Sequence, residues 1–240
     1  RLDAAFRGAD VVVHLAAMAG VRPSLEDPLL YQDVNVGGTC QVLEACRRNG
    51  VKTLVFASSS SVYGNNEKVP FAEDDRVDHP VSVYAATKKA AELLCHTYHA
   101  VWGLDVTCLR YFTVYGPRQR PDLAIHKFCR LALAGKPVPF FGDGSMERDH
   151  TYIDDIVDGT VSAIHTAAGK GFRIINLGSD RPVRLDALVE AIEQALGVRI
   201  ERDVRPVPPG DVQRTWADLT RAREKLMRAL EESGAAENTI

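Results

Sequence analysis

Asn49-Gly-Val-Lys-Thr-Leu-Val-Phe-Ala-Ser-Ser-Ser-Ser61 is the stretch on which the fold turns. Asn49-Gly50 is a helix stop, because glycine adopts the left-handed conformation that ends a helix at no steric cost. The helix it ends is read over 38–49, where Val42, Leu43 and Cys46 recur at helical spacing. Val51 to Ala57 then reads as a buried strand. Four serines follow directly on it. Ligands of open parallel sheets bind just beyond the carboxyl ends of strands, so a polar strand end of this kind is a candidate site.

Outward from that stretch the same alternation continues. Asp10-Val-Val-Val-His-Leu-Ala-Ala17 reads as a buried parallel strand, residues 84–102 as a long helix ending at Gly103, and Asp105 to Tyr111 as a third strand. Strand–helix alternation predicts an α/β, doubly wound parallel sheet. From about Gly116 the texture changes. Prolines and glycines cluster at 116–121, 135–144 and 206–210, between helical stretches at 122–134, 153–167, 184–196 and 218–231 and one clear strand, Phe172 to Leu177. The expectation is a first domain over 1–115. A smaller α/β domain over 116–240 wraps onto it, with strand and helix returns to the first. The polar tail after Arg228 is expected to fray.

Composition sets limits. The chain has 240 residues, 45% hydrophobic and 25% charged, enough for a sizeable core. Basic and acidic residues nearly balance, 29 against 32, which argues against nucleic acid or anionic lipid as a dominant partner. The longest mostly apolar run, Val11 to Val21, is too short to span a bilayer, and no secretory signal pattern opens the chain. Five cysteines without a Cys-x-x-Cys read as buried thiols in a reducing compartment. No Gly-x-Gly-x-x-Gly occurs, and Gly142-x-Gly144 and Gly169-x-Gly171 are isolated turn pairs. A nucleotide-binding sheet normally carries such a loop after its first strand. Either the nucleotide is held otherwise or that strand is not among these residues.

Tyr84-Ala-Ala-Thr-Lys88 carries the chemistry. Four residues apart on a helix, both side chains share a face. A neighbouring ammonium favours the phenolate and lowers the tyrosine pKa toward the range useful for general acid–base work. Alone, the pair is as consistent with a surface helix. It is not alone: Ser58-Ser-Ser-Ser-Val-Tyr-Gly64 and Leu109-Arg-Tyr-Phe-Thr-Val-Tyr-Gly-Pro117 place hydroxyls and aromatics at two further strand ends. Arg148-Asp149, after the turn Gly142-Asp-Gly-Ser145, suits a phosphate clamp or a solvated arginine. Cys95, His96 and His99 read as helix packing, and Asp154-Asp155 as acids favoured at a helix start, so no metal is expected.

These segments, with His14-Leu-Ala-Ala17, Asn35-Val-Gly-Gly-Thr39, Arg148 to Asp155, Asn176-Leu-Gly178, Pro209-Gly-Asp211 and Ala217-Asp218, resemble the extended short-chain dehydrogenase/reductase family. Within it they are most similar to the nucleotide-sugar 4-epimerases, over about 210 residues in consistent order. The resemblance implies a Rossmann-like sheet that is N-terminally incomplete here, lacking the glycine-rich opening. It further implies bound NAD, a UDP-sugar substrate and a homodimer through helices matching 38–49 and 84–102. Carried onto this chain, Tyr84 is the acid and base, Lys88 holds the nicotinamide ribose, and Ser59 bonds the sugar O4. Leu15, Ala16, Ala17, Ser58 and Tyr111 line the cofactor with them. Ser60, Ser61, Thr113 and Arg120 surround C6 of the sugar, Arg148 meets the diphosphate, and Asp211 lies near the uridine.

Three departures refine the implication. Dehydratases and decarboxylases of the family carry an acid just before Val-Tyr-Gly, where this chain has Ser60 and Ser61. Thr113 stands where glucose/galactose epimerases often have asparagine, and with Arg120-Pro-Asp122 it resembles the UDP-glucuronate enzymes. The opening βαβ region is missing. The expected function is therefore NAD-dependent 4-epimerisation of a UDP-sugar in the cytoplasm, UDP-glucuronate ahead of UDP-glucose. A sugar-nucleotide reductase or decarboxylase is the alternative, and a fragment that only binds nucleotide sugar or a partner is another. Without the glycine loop, these residues by themselves are expected to bind NAD weakly and to expose an apolar sheet edge at 11–17.

Overall fold

A computed structural model describes residues 1–227; the tail expected to fray, and the end of the helix read over 218–231, lie outside the described residues. In chain order the elements are α1 (Leu2–Phe6), β1 (Val11–His14), α2 (Val21–Glu26), α3 (Pro28–Tyr31), α4 (Gly38–Asn49), β2 (Thr53–Ser59), α5 (Val83–Trp102), β3 (Asp105–Tyr111) and β4 (Thr113–Tyr115). There follow α6 (Ala124–Leu133), β5 (Val138–Phe141), β6 (Glu147–Tyr152), α7 (Ile153–Thr166), β7 (Phe172–Leu177), β8 (Pro182–Arg184), α8 (Leu185–Leu196), β9 (Arg202–Arg205) and α9 (Thr220–Ala222). A wider π-type turn, Gln32–Gly37, joins α3 to α4. No described helix is long and apolar enough to cross a membrane.

The main sheet is parallel, in the order β1-β2-β3-β7. Every residue of β2 is buried, as a strand covered on both faces requires. Helices α4 and α5 share one core cluster with β2 and β3, built on Leu43, Leu54, Phe56, Cys95 and Val106. Val55, Leu109 and Ile175 pack with α7 in another. The two glycine stops behave as their positions demand: Gly50 and Gly103 sit at φ 70° and φ 68°, and Gly103 N–H bonds the His99 carbonyl at 2.8 Å. Ser82 caps α5, its hydroxyl accepting from Ala85 N–H at 3.1 Å.

Some expectations need correction. The strand read over 10–17 ends at His14, and Leu15 and Ala16 are exposed. His14 is instead turned inward, its Nε2 bonded to Thr39 Oγ1 at 3.1 Å, and burial holds its pKa down at about 4. Phe172–Leu177 returns to the main sheet as its fourth strand, paired with β3, but from residue 113 onward the chain also holds β4, β5, β6, β8 and β9, which the sequence did not mark. These are three to six residues long, too short for their alternation to stand out in the sequence. They form a β4-β6-β8 sheet and a β5-β9 pair, with a separate core around Phe128, Phe140 and Val189 under α6 and α8.

Asp149 joins these parts. It is wholly buried on β6, and its carboxylate accepts from the backbone N–H groups of Ser179 (2.7 Å), Asp180 (3.2 Å) and Ala217 (3.0 Å) and from the Ser179 hydroxyl (2.9 Å). Gly178 is required beside it, since a Cβ there would lie 2.7 Å from the Ala217 Cβ. Removing an acceptor from several buried donors costs about 1–3 kcal/mol for each group left unpaired. Asp149→Ala is therefore expected to lose about 3 kcal/mol or more in urea unfolding, and a loss below about 1 kcal/mol would contradict this linking role.

Candidate active site

The carboxyl ends of β1, β2 and β3 open into a cavity of 910 Å³. Leu15, Ala17, Ser58, Ser59, Ser60, Ser61, Tyr84, Lys88, Tyr111, Thr113, Arg120, Arg148 and Asp211 all line it. Ala16 does not, because the chain has left the strand and points it to solvent. A narrower cavity of 330 Å³ between α6 and β6 shares Thr113, Arg120, Arg148 and Asp211 with the first, and adds Lys127, Phe141 and His150. One cleft thus runs from the main sheet into the smaller β-structure.

Tyr84 and Lys88 stand one turn apart at the start of α5, as their spacing requires. Lys88 is buried, and its Nζ donates to the Ala57 carbonyl at 2.8 Å. It lies 5.2 Å from the Phe56 ring centre and 6.0 Å from that of Tyr84. Burial pushes the ammonium down to about 8. The Tyr84 hydroxyl is moved the other way: burial raises it above the ordinary tyrosine value, and the Ser59 hydroxyl and then the Arg120 charge pull it back only in part. This corrects the expectation of a phenol brought toward neutrality by its lysine. Around the ring, Tyr31 stands edge-on at 6.3 Å, and Ser24 Oγ accepts from the Tyr84 backbone N–H at 3.0 Å.

The serines divide their work. Ser59 Oγ accepts from Ser61 N–H and donates to Ser61 Oγ, both at 3.1 Å, which aims Ser59 and Ser61 into the same space. Ser58 borders the cavity, and its hydroxyl spends its one proton on the buried Glu92 carboxylate at 2.6 Å. The Tyr111 hydroxyl is likewise engaged, at 2.9 Å from Thr160 Oγ1 on α7. Arg120 is half-exposed and forked onto Asp122 at 3.1 and 2.8 Å, while the Arg148 guanidinium donates from Nη1 to the Glu147 carbonyl at 2.8 Å.

Sequence reading missed several lining or supporting residues. Asn35 ties the Met18 backbone to Thr87 through bonds of 2.8 and 3.0 Å. Arg22 bridges Asp211 at 2.8 Å and lies over the Phe141 ring at 4.4 Å. His150 faces the narrower cavity from β6, paired in register with Thr113. The segment 21–37 showed no helical stripe, and only the Asn35 to Thr39 motif marked it. Among the described residues no group of acids, cysteines and histidines is arranged to hold a metal.

Residues 1–178 match the model of the NAD dependent epimerase/dehydratase family. The chain belongs to that family. Among its relatives, a UDP-glucuronate 4-epimerase of Thermodesulfobacterium geofontis is 47% identical over 216 residues, covering 90% of this chain and 66% of its own. The UDP-glucuronic acid 4-epimerase of Bacillus cereus, solved with UDP-glucuronic acid and NAD, superposes with a TM-score of 0.90 at 39% identity, over 94% of this chain and 72% of its own. MoeE5, solved with UDP-glucose and NAD, gives 0.90 at 38% identity, over 94% and 75%. The chain spans about two thirds of the length of the curated relatives it matches. The Rossmann-like parallel sheet is common to these family members and to this chain.

The position of Lys88 makes a direct expectation. In NMR of protein labelled with 13C-lysine, one resonance should titrate near pH 8, vanish in Lys88→Met, and stand apart from those of the exposed lysines. A Lys88 signal that follows the exposed ones would show that it is solvated rather than buried.

Proposed function

We propose that this chain carries the catalytic centre of an NAD-dependent UDP-sugar 4-epimerase, with UDP-glucuronate preferred to UDP-glucose. The observation that carries the reading is the convergence of Ser59, Tyr84 and Lys88 on one cavity beyond the ends of the central strands. Relatives that match over nine tenths of the chain and bear that activity support it. On this reading residues 1–115 serve mainly the cofactor and 116–240 mainly the substrate.

The residues present fit the nicotinamide half of NAD. Lys88 spends one of its three N–H donors on Ala57, leaving two for ribose hydroxyls, and Leu15, Ala17 and Val13 offer an apolar wall to the ring. NAD, when bound, would supply a reversible acceptor for the hydride at C4 of the sugar. Tyr84 takes the proton from O4 and gives it back, and Ser59 holds that oxygen by a hydrogen bond. Because burial would keep Tyr84 protonated, its basicity depends on what opposes burial, the Ser59 hydroxyl and then the Arg120 charge. Arg148 and Lys127 suit the diphosphate, and the Arg120 fork, now on Asp122, suits a C6 carboxylate with Thr113, Ser60 and Ser61 around it.

Dehydration or decarboxylation is the less favoured chemistry. Among the described residues lining the larger cavity, Asp211 is the one carboxylate, and it is engaged by Arg22. Epimerisation needs no carboxylate, only one group that both removes and restores a proton. We further propose a cytoplasmic homodimer. Five free cysteines support a reducing compartment. Leu93 and Val101 are 58% and 61% exposed on α5, beside Trp102, and suit a copy-to-copy helix face. Light scattering at micromolar concentration is expected to give twice the protomer mass, and a strict monomer would contradict the interface.

Two measurements test the activity. Tyr84→Phe keeps the ring and loses the ionisable group, so turnover should fall about 10²–10⁴-fold with little change in substrate affinity. Turnover within twofold of the parent removes Tyr84 from the role, and net consumption of added NADH points to a reductase. Arg120→Ala should weaken UDP-glucuronate selectively, whereas equal loss for both sugars reduces Arg120 to a loop charge.

A further inference from the structure

We infer that Glu92 is a positioning residue for the Ser59–Tyr84–Lys88 centre, its carboxylate fastening α5 to the carboxyl ends of both central strands. The inference rests on the reading of that centre given above. Tyr84, Lys88 and Glu92 recur every four residues along α5 and so share one face of the helix. Glu92 and Arg110 of β3 are each 1% exposed and meet fork to fork, Nε to Oε1 and Nη2 to Oε2, both at 2.9 Å. The same Oε1 accepts from the hydroxyl of Ser58, on β2, at 2.6 Å. One turn earlier, Lys88 is bonded to Ala57, the residue before Ser58. The helix that carries Tyr84 is thus pinned, at two successive turns, to the strand end that carries Ser59.

The clamp is held from behind. The Arg110 guanidinium lies 4.8 Å from the Tyr63 ring centre and donates to the Glu73 carbonyl at 3.3 Å. Tyr63 donates to Asn176 on β7 at 2.7 Å, and Asn176 N–H to the Glu73 carboxylate at 2.9 Å. Apolar side chains of similar volume often stabilise a core as well as a buried ion pair does. What the pair adds is direction: a bidentate fork fixes angle and distance, where packed leucines allow sliding. Sliding matters here because a displacement of about 1 Å between reacting groups costs about 10²-fold in rate.

The test compares the parent protein with Glu92→Leu/Arg110→Met, which removes both charges together and leaves neither one buried alone. The double variant is expected to melt close to the parent. Its kcat should fall about 10–100-fold while KM for the UDP-sugar stays within about threefold. Amide hydrogen exchange should quicken at residues 57–61 and not across the rest of the sheet. A folded double variant with kcat within twofold of the parent overturns the inference, as does exchange that rises throughout the sheet, which would mark a purely structural pair. If the double variant does not fold, Ser58→Ala cuts only the link to β2, and the same readouts should move in the same direction by about 3–10-fold in kcat; no change overturns the inference. If the parent itself fails to interconvert 4-epimers, the proposed function falls and exchange alone decides: a rise confined to 57–61 upholds the positioning role, and an unchanged pattern rejects it.

Discussion

Parallel pairing of β2 with β3, in register from Thr53–Asp105 to Ser59–Tyr111, is the constraint on which the rest of the structure depends. It brings two polar strand ends to one edge of the sheet. Helix α5 connects the two strands and must pack back across them, which carries Tyr84 and Lys88 to the same edge. β7 then extends the sheet beside β3, and the Asp149 carboxylate ties the turn after β7 to the smaller β-structure that closes the cleft. Cleft and core are therefore consequences of one register. A slip of one residue would turn Ser59 away from Tyr84 and reverse every buried side chain of β2.

The site is held at a cost to stability. Lys88 is ordinarily protonated up to 10.5 and here only to about 8, so its burial in the charged form costs about 3 kcal/mol at neutral pH. Because its folded value lies below the unfolded one, that cost is fully present below about pH 8 and fades as pH rises toward 10.5. Arg148 is likewise depressed by burial, and Tyr84 raised. All three shifts have the same cause, ionisable groups kept dry in a cleft where their interactions with a ligand are stronger than in water. At neutral pH the cost falls on the two cations alone, since Tyr84 is uncharged whether folded or unfolded.

Elsewhere charge is buried with its partner. Glu92 is held below the usual carboxylate range despite its burial, because the Arg110 fork and the Ser58 hydroxyl outweigh desolvation. The contrast between Glu92 and Lys88, two residues one turn apart on a single helix, separates a satisfied group from one with donors to spare.

Much of this was legible in the sequence. Apolar runs and glycine stops placed β2, β3, α4, α5 and β7, because local periodicity and a left-handed cap are properties of short segments. The motif at Tyr84–Lys88 and the serine run located the cleft for the same reason. What distance along the chain conceals was decided by tertiary structure. The hydroxyl of Ser58 is taken up by Glu92, 34 residues away, and Asp211, in a proline-rich loop, is engaged by Arg22, 189 residues away. Protonation states belong to this second class as well. Spacing put an ammonium beside a phenol, but whether the phenol is lowered or raised depends on how much water the assembled fold excludes, and no run of neighbouring residues encodes that.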